Sequence, residues 1–356
     1  MKIDYRNLSK EDILYLLKSE DKTEFDELMQ QAYNMKNENV GHKAYYRGII
    51  EFSNICAKDC YYCGIRKSNK GVSRFAMNIR EILDCAELAW KMNYGSVVLQ
   101  SGERTDEEFV AFVEKAIREI KKVSNNELGI TISLGEQSEE TYRRWFEAGA
   151  HRYLIRIETS NNELYKTLHP QDHDFSERFE CLNRLRRVGY QVGTGVMIGL
   201  PEQTMEDLTN DIIFFKENDI DMIGMGPYIV HHETPLAKKV KDFNKEYQLN
   251  LGLKMIALTR LYLKDVNIAS TTALQALHHE GREFGLQAGA NIIMPNITHT
   301  KYREGYQLYD NKPCTDENAS MCRACLEGRI SKIGEEIGYN EWGDSPHFEK
   351  KNKLEK

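Results

Sequence analysis

The chain has 356 residues, 41% hydrophobic and 29% charged, with a formal net charge of −7; it can bury a sizeable core, and with no dense Lys/Arg run it is not built to bind nucleic acid. Residues 1–10 are polar and lack the apolar centre of a secretion signal, and no stretch nears the roughly 18 apolar residues of a membrane span, so the expected setting is the cytoplasm, with no membrane partner. There, eight cysteines argue against a disulfide framework.

The first 40 residues read as helix. Ser9 followed by Asp12 gives a capping-box pattern before the apolar Ile13, Leu14, Leu16 and Leu17, and Leu28, Ala32 and Met35 mark a second short helix. From Tyr45 onward, β-branched or apolar runs alternate with amphipathic helical runs. The strand candidates are 48–52, 96–101, 128–133, 153–157, 192–198, 222–226, 266–269 and 291–294. Between them, Ile82, Leu83, Ala86, Ala89 and Trp90 keep helical spacing. Phe109, Val113, Ala116 and Ile120 repeat it behind a Thr105…Glu108 capping box, and Thr204…Asp207 opens another helix in the same way.

Eight strand runs separated by helices predict an α/β fold, a closed (β/α)8 barrel of the TIM type with short N-terminal helices and a C-terminal extension. No Pro/Ser/Gly-rich linker divides it. The expected division is a helical preface over 1–44, a barrel over 45–338 and a polar, frayed tail over 339–356.

Six cysteines fall in two groups; Cys85 and Cys181 stand alone in helix-like segments and read as buried, inert thiols. The first group follows the first strand as Cys56-x3-Cys60-x2-Cys63, with Tyr62 directly before the last cysteine. Three thiolates can hold three corners of a cubane iron–sulfur cluster and leave the fourth iron open. A structural zinc knuckle wants four protein ligands, and the local loop offers no His or fourth Cys.

This motif resembles the signature of the radical S-adenosylmethionine (SAM) enzymes. The resemblance implies a 4Fe-4S cluster on Cys56, Cys60 and Cys63, with the amino and carboxylate groups of SAM on the open iron. An electron from the reduced cluster would cleave the sulfonium C–S bond to give methionine and a 5'-deoxyadenosyl radical. It also implies which strand ends grip the cofactor. Gln100-Ser101-Gly102-Glu103 is similar to the family's Gly-Gly-Glu element at the methionine amine, with Tyr62 and Met197 also on the cofactor. Glu158 is expected at the ribose hydroxyls, Arg178 at the methionine carboxylate and Gly199 beside the adenine. Arg156 is expected on an anionic substrate group, although Arg156 and Glu158, two residues apart on one strand face, could equally form a structural ion pair.

Beyond the eighth strand lies Cys314-x7-Cys322-x2-Cys325, which can hold an accessory iron–sulfur cluster, 2Fe-2S or 4Fe-4S, or an incomplete metal site. Both triads, with Thr271-Thr272 and Tyr306-Gln307-Leu308-Tyr309, resemble the HydE family of FeFe-hydrogenase maturases, in the biotin synthase-like branch. That resemblance implies a role with other maturases, and with an electron donor, in building the di-iron subcluster of the hydrogenase. Its substrate would be a small cysteine-bound iron complex carrying carbon monoxide and cyanide, supplied by a partner maturase, in a cavity lined by Gln100, Arg156, Thr271, Thr272 and Tyr306. The alternatives are a methylornithine synthase or biotin synthase of the same branch, and a non-catalytic iron–sulfur carrier. A carrier needs the cysteines but not Gly102, Glu103, Glu158 or Arg178.

Overall fold

Strands covered on both faces read as nearly continuous apolar runs, and the strand candidates do so because they form the wall of a closed barrel. The computed structural model describes residues 3–314 and 319–354, the side chains of 319–325 and 354 excepted. In chain order the strands are β1 (Lys43–Ser53), β2 (Ser96–Ser101), β3 (Gly129–Ser133), β4 (Arg152–Leu154), β5 (Gln191–Thr194), β6 (Met197–Ile198), β7 (Met222–Ile223), β8 (Gly226–Pro227), β9 (Asn267–Ser270), β10 (Ile292–Ile293) and β11 (Glu336–Ile337). Eight of them run parallel in the order β1-β2-β3-β4-β5-β7-β9-β10, and pairing of Tyr45 with Ile292 joins β10 back to β1. The expected (β/α)8 barrel is the observed fold.

Two strand candidates divide. The ladder of 192–198 stops at Thr194 and resumes as β6, and 222–226 splits into β7 and β8, which pairs with β6. At the break Gly195 and Gly224 bring two backbones together: a Cβ on Gly195 would lie 2.2 Å from the Gly224 carbonyl oxygen. Amphipathic helices such as Ile79–Lys91, Glu107–Val123 and Phe175–Val188 coat the barrel, burying Cys85 and Cys181 against it.

The capping boxes at Ser9/Asp12 and Thr204/Asp207 form as expected. The helix Glu107–Val123 instead takes Asp106 as its cap, one residue after Thr105, with the carboxylate accepting from the Phe109 N–H at 3.1 Å. A negative cap also suits the positive helix end. The second N-terminal helix is not short: Lys22–Asn39 spans 18 residues and packs along Lys245–Leu263. No described helix is long and apolar enough to cross a membrane.

The end of the chain is not frayed over its described residues. The Gly343 carbonyl accepts from Arg47 Nη2 (2.8 Å) and Asn267 Nδ2 (2.9 Å), and that of Trp342 from Arg152 Nη1 (3.0 Å). Ser345 N–H donates to Gln191 at 3.0 Å, and Asp344 ion-pairs with Arg152. Arg152, Gln191 and Asn267 each begin a barrel strand, so 342–345 plug the N-terminal end of the barrel. The helix Pro346–Leu354 then docks through His347, held between Asp219 (2.6 Å) and Asp265 (3.2 Å). Composition hid this because the plug works through main-chain carbonyls. With one end of the barrel closed, chemistry is left to the other.

Candidate active site

At the C-terminal strand ends lies a cavity of about 320 Å³ lined by Cys56, Cys60 and Cys63, the face where barrels of this type carry their sites. A set of hydrogen bonds holds the cysteine loop in place. Arg74 donates to the carbonyls of Asn54 (2.6 Å), Ile65 (2.7 Å), Arg66 (2.6 Å) and Asn69 (3.1 Å). Asn54 Nδ2 donates to Ser73 O (2.8 Å) and Gly305 O (2.7 Å). Main-chain bonds tie the loop sideways, Ala57 N–H to Glu103 O (2.8 Å) and Gly64 N–H to Leu308 O (3.0 Å).

The donor set fits a cluster better than a single ion. Among the described residues, the metal-ligating triads whose atoms all lie within 4.8 Å of one another are His231/His232/Asp310 and His278/His279/Glu280. Cys56, Cys60 and Cys63 are not among them, and three thiols on one cavity are the donor set of a cluster with one open iron, one short of the four ligands of a structural zinc. Burial pushes all three thiols up, Cys60 to about 12, so ionising them here calls for a bound cationic centre. The Glu103 N–H already donates to Cys56 Sγ at 3.3 Å.

Beside the loop sits a quartet of charges, buried except for the half-buried Lys58. Lys58 Nζ meets Glu136 (2.6 Å) and Glu103 (3.4 Å), and Arg178 meets Glu136 through Nε (2.6 Å) and approaches Glu103 (3.9 Å). Burial pushes Glu103 up. Burial acts the same way on Glu136, but Arg178 and Lys58 outweigh it and pull that carboxyl down. Gly102 is obligatory here: a Cβ would lie 2.4 Å from Ile55 O and 2.8 Å from Cys56 Cβ.

Across the cavity the chain has left β4 before it reaches Arg156 and Glu158. Both still line the cavity, and they form the ion pair at 2.9 Å. Glu158 has φ +64°, a left-handed conformation that costs a side-chain-bearing residue about 1–3 kcal/mol. It is held on both sides: its N–H donates to Gly195 O (3.1 Å) and its carbonyl accepts from Met197 N–H (3.0 Å). The next turn is pinned by buried Asp211, which accepts from Ser160 N–H and Oγ, each at 2.6 Å. Burial, opposed by Ser160, pushes Asp211 up to about 7. Burial, then Arg178, pushes His169 down to about 3. Neutral His169 donates from Nδ1 to Tyr165 O (2.9 Å) and accepts from the Tyr62 hydroxyl (3.3 Å).

Of the expected residues, Tyr62, Gln100, Ser101, Gly102, Glu103, Arg156, Glu158, Arg178, Met197, Thr271, Thr272 and Tyr306 line this cavity. Gly199 does not. Its turn (φ +75°) faces Gln248, which donates to its carbonyl at 2.9 Å. Cys314 is half-buried and off the cavity, its carbonyl accepting from Arg303 at 3.0 Å. The Cys322 and Cys325 side chains lie outside the described residues. Sequence reading missed Lys58, Glu136, and the pair Glu51–Lys312 on the cavity wall. Lys58 lies inside the cysteine loop, and Glu136 follows a strand end, the position from which barrels draw functional residues.

Comparison with known proteins gives the family. Residues 50–215 match the radical SAM superfamily model. The chain is 42% identical to the [FeFe] hydrogenase maturase subunit HydE of Thermotoga maritima, over 96% of this chain and 95% of that protein. Identity to the 3-methylornithine synthase of Methanosarcina acetivorans is 26%, over 85% and 83% of the two chains. Among solved structures, methylornithine synthase superimposes with a TM-score of 0.79 at 22% identity, covering 94% of this chain and 95% of that one. The maturase HydG from Carboxydothermus hydrogenoformans gives 0.78 at 20% identity, covering 94% and 76%. At those identities the structures speak for the fold alone.

Proposed function

Because the chain belongs to the HydE family of radical SAM enzymes, we propose that its open barrel end holds a 4Fe-4S cluster on Cys56, Cys60 and Cys63 and works on a small iron complex during [FeFe] hydrogenase maturation. The observation that carries this is the convergence of the three thiols with Ser101, Gly102, Glu103, Glu158 and Arg178 on one cavity. When bound, the reduced cluster and SAM supply reductive cleavage of the sulfonium C–S bond, giving methionine and a 5'-deoxyadenosyl radical.

The protein's own residues position and shield. Tyr62, Ser101, Gly102, Glu103, Glu158, Arg178 and Met197 would grip SAM, with Gly199 shaping the turn after β6 rather than touching the adenine. Arg178 presents a fixed charge to a carboxylate, because Glu136 and the Arg156 carbonyl (3.0 Å) hold its guanidinium in place. Strain at Glu158 is resisted by Gly195 and Met197, which keeps a carboxylate aimed at the cavity. Gln100, Arg156, Thr271, Thr272 and Tyr306 would line the substrate chamber, and the plug at 342–345 keeps water out from below.

The substrate is proposed to be a cysteine-bound iron complex with carbon monoxide and cyanide, delivered by a partner maturase; reduction comes from an electron donor. Cys314, Cys322 and Cys325 are proposed to hold an accessory cluster. The test is in-vitro maturation of apo-hydrogenase with the other maturases. Omitting this chain, or supplying Cys60→Ala, is expected to abolish activation. Full activation without it, or methylornithine formed from lysine and SAM, would overturn the reading.

A further inference from the structure

Among the described residues, two groups of side chains outside the cavity bring three metal-ligating atoms within 4.8 Å of one another. They are built differently. His278, His279 and Glu280 are consecutive, and the side chains of His279 and Glu280 are 80% and 54% exposed, as on a solvated turn. His231, His232 and Asp310 join two distant segments, with 78 positions between His232 and Asp310. The loop after β8 and the segment beyond Tyr306 meet there: Asp310 N–H donates to Val230 O (3.1 Å), and His232 N–H to Asp310 Oδ2 (3.0 Å). His231 is 4% exposed. Thr234 holds its carbonyl through N–H (3.0 Å) and Oγ1 (2.7 Å). Its ring lies on Gly64, where a Cβ would stand 2.3 Å from Cδ2.

Where the protons sit is what points to an ion. The Glu233 N–H donates to His231 Nδ1 at 3.2 Å, so that nitrogen carries a lone pair and the ring proton is on Nε2. The same Nδ1 stands 3.9 Å from Asp310 Oδ1, too far for a hydrogen bond, so a basic nitrogen faces a carboxylate with no proton between them. A cation there would turn repulsion into two bonds, taking over the lone pair from the long Glu233 contact. The 3.9 Å gap lies within the ~4.2 Å that two metal bonds of about 2.1 Å can span. His232 Nδ1 is already 2.9 Å from the same oxygen. Its side chain is 73% exposed and stacked on His231, ring centroids 5.1 Å apart, and can turn out of the stack onto an ion.

We propose that His231, His232 and Asp310 form a mononuclear site for a divalent first-row transition ion, separate from the cluster. Two imidazoles and one carboxylate suit zinc, cobalt, nickel or ferrous iron, whereas magnesium and calcium prefer oxygen ligands. The solvent side leaves the remaining coordination positions to water. The ion acts as a clip. Gly64 N–H donates to Leu308 O (3.0 Å), and Asn69 Nδ2 to Glu233 Oε2 (3.0 Å), so the two segments it joins are ones that pack on the cysteine loop. Loading the site braces the rim beside Cys63 whatever the cavity itself binds.

The test is anaerobic titration of the reconstituted, cluster-loaded protein with Zn2+, Co2+ and, as the oxygen-preferring control, Mg2+. Calorimetry reads affinity, and X-ray absorption at the cobalt edge reads the ligand atoms. Wild-type protein is expected to take one ion in a shell of nitrogen and oxygen; any ion held by Cys314, Cys322 and Cys325 is told apart by its sulfur. At a hundredfold excess over Kd, Zn2+ should raise the melting point by about 5 °C. His232→Ala removes an exposed ligand, and Asp310→Asn keeps the shape of the carboxylate without its charge. Each should weaken Zn2+ at this site more than tenfold, since losing even a supporting residue costs a metal site about 10–100-fold. The proposal is overturned if cobalt finds sulfur ligands alone, if Mg2+ binds as tightly as Zn2+, or if both variants keep wild-type Zn2+ affinity. A His232–Asp310 pair serving structure alone gives the last result, with a lower melting point before any metal is added.

Discussion

Replacing Asp344 with alanine should unlatch the closed end of the barrel. Arg152 has no exposed side-chain surface, and its charge is met by Asp344, whose side chain is 24% exposed. Without that carboxylate, Arg152 keeps only Nε to Thr131 Oγ1 (2.9 Å) and Nη1 to the Trp342 carbonyl (3.0 Å), and Nη2 already lacks an acceptor. Breaking a fully buried pair costs about 3–5 kcal/mol. Partial exposure of Asp344 and the two surviving bonds bring the expectation to about 2–3 kcal/mol. At roughly 2 °C per kcal/mol for a chain this long, the melting point should fall by about 4–6 °C. Differential scanning calorimetry measures it, and Arg152→Met/Asp344→Ala, which removes both charges, should recover most of the loss. Burial raises the Asp344 carboxyl, but His151 and Arg152 outweigh it and hold the group well below its ordinary value. Its contribution is therefore complete above about pH 4 and fades as pH falls, so wild type and Asp344→Ala should converge in acid. A variant melting within about 1 °C of wild type, or a double variant no better than the single, would mean that the Arg152–Asp344 pair does not hold the plug.

Gly102→Ala places a Cβ against the Ile55 carbonyl and Cys56, so iron retained after reconstitution should fall severalfold while the melting point holds; undiminished iron would count against the close approach. Asp211→Ala frees Ser160 and lets the strained Glu158 relax, so SAM affinity should drop about tenfold, roughly the 1–3 kcal/mol of strain. Asp211→Asn, whose amide oxygen still accepts, should retain most of it, and equal losses in both variants would contradict that role. Hydrogen bonds to Asp219 and Asp265, against burial, raise His347 to about 9. A raised histidine stabilises fully below its ordinary value and stops doing so as pH climbs through 9. Amide protection of Pro346–Leu354 should thus decline between pH 6.5 and 9.5 after correction for intrinsic exchange, and constant protection would rule out the latch.

Much of this was legible in the residues. The alternation of apolar runs with helical periods gave eight strands, and β2 lies where 96–101 was read, because a parallel wall must be apolar on both faces. Cysteine spacing located the loop, and most strand-end residues meet in one cavity. What stayed hidden depends on tertiary partners. Gly199 carries a signal for left-handed backbone, but whether a ligand or Gln248 faces it is decided by a helix fifty residues away. Glu136 has only its place after a strand end to mark it; Lys58 and Arg178, far apart in the chain, make it part of the site. The plug has no sequence signature because Gly343 and Trp342 act through carbonyls that every sequence possesses.

Electron paramagnetic resonance of the anaerobically reconstituted, reduced protein, with and without SAM, probes the cluster on Cys56, Cys60 and Cys63. A reduced 4Fe-4S signal is expected, with g-values that shift when SAM is added, and it should vanish in Cys60→Ala. A signal indifferent to SAM, or one that survives loss of Cys60 unchanged, would mean that these thiols hold no SAM-binding cluster.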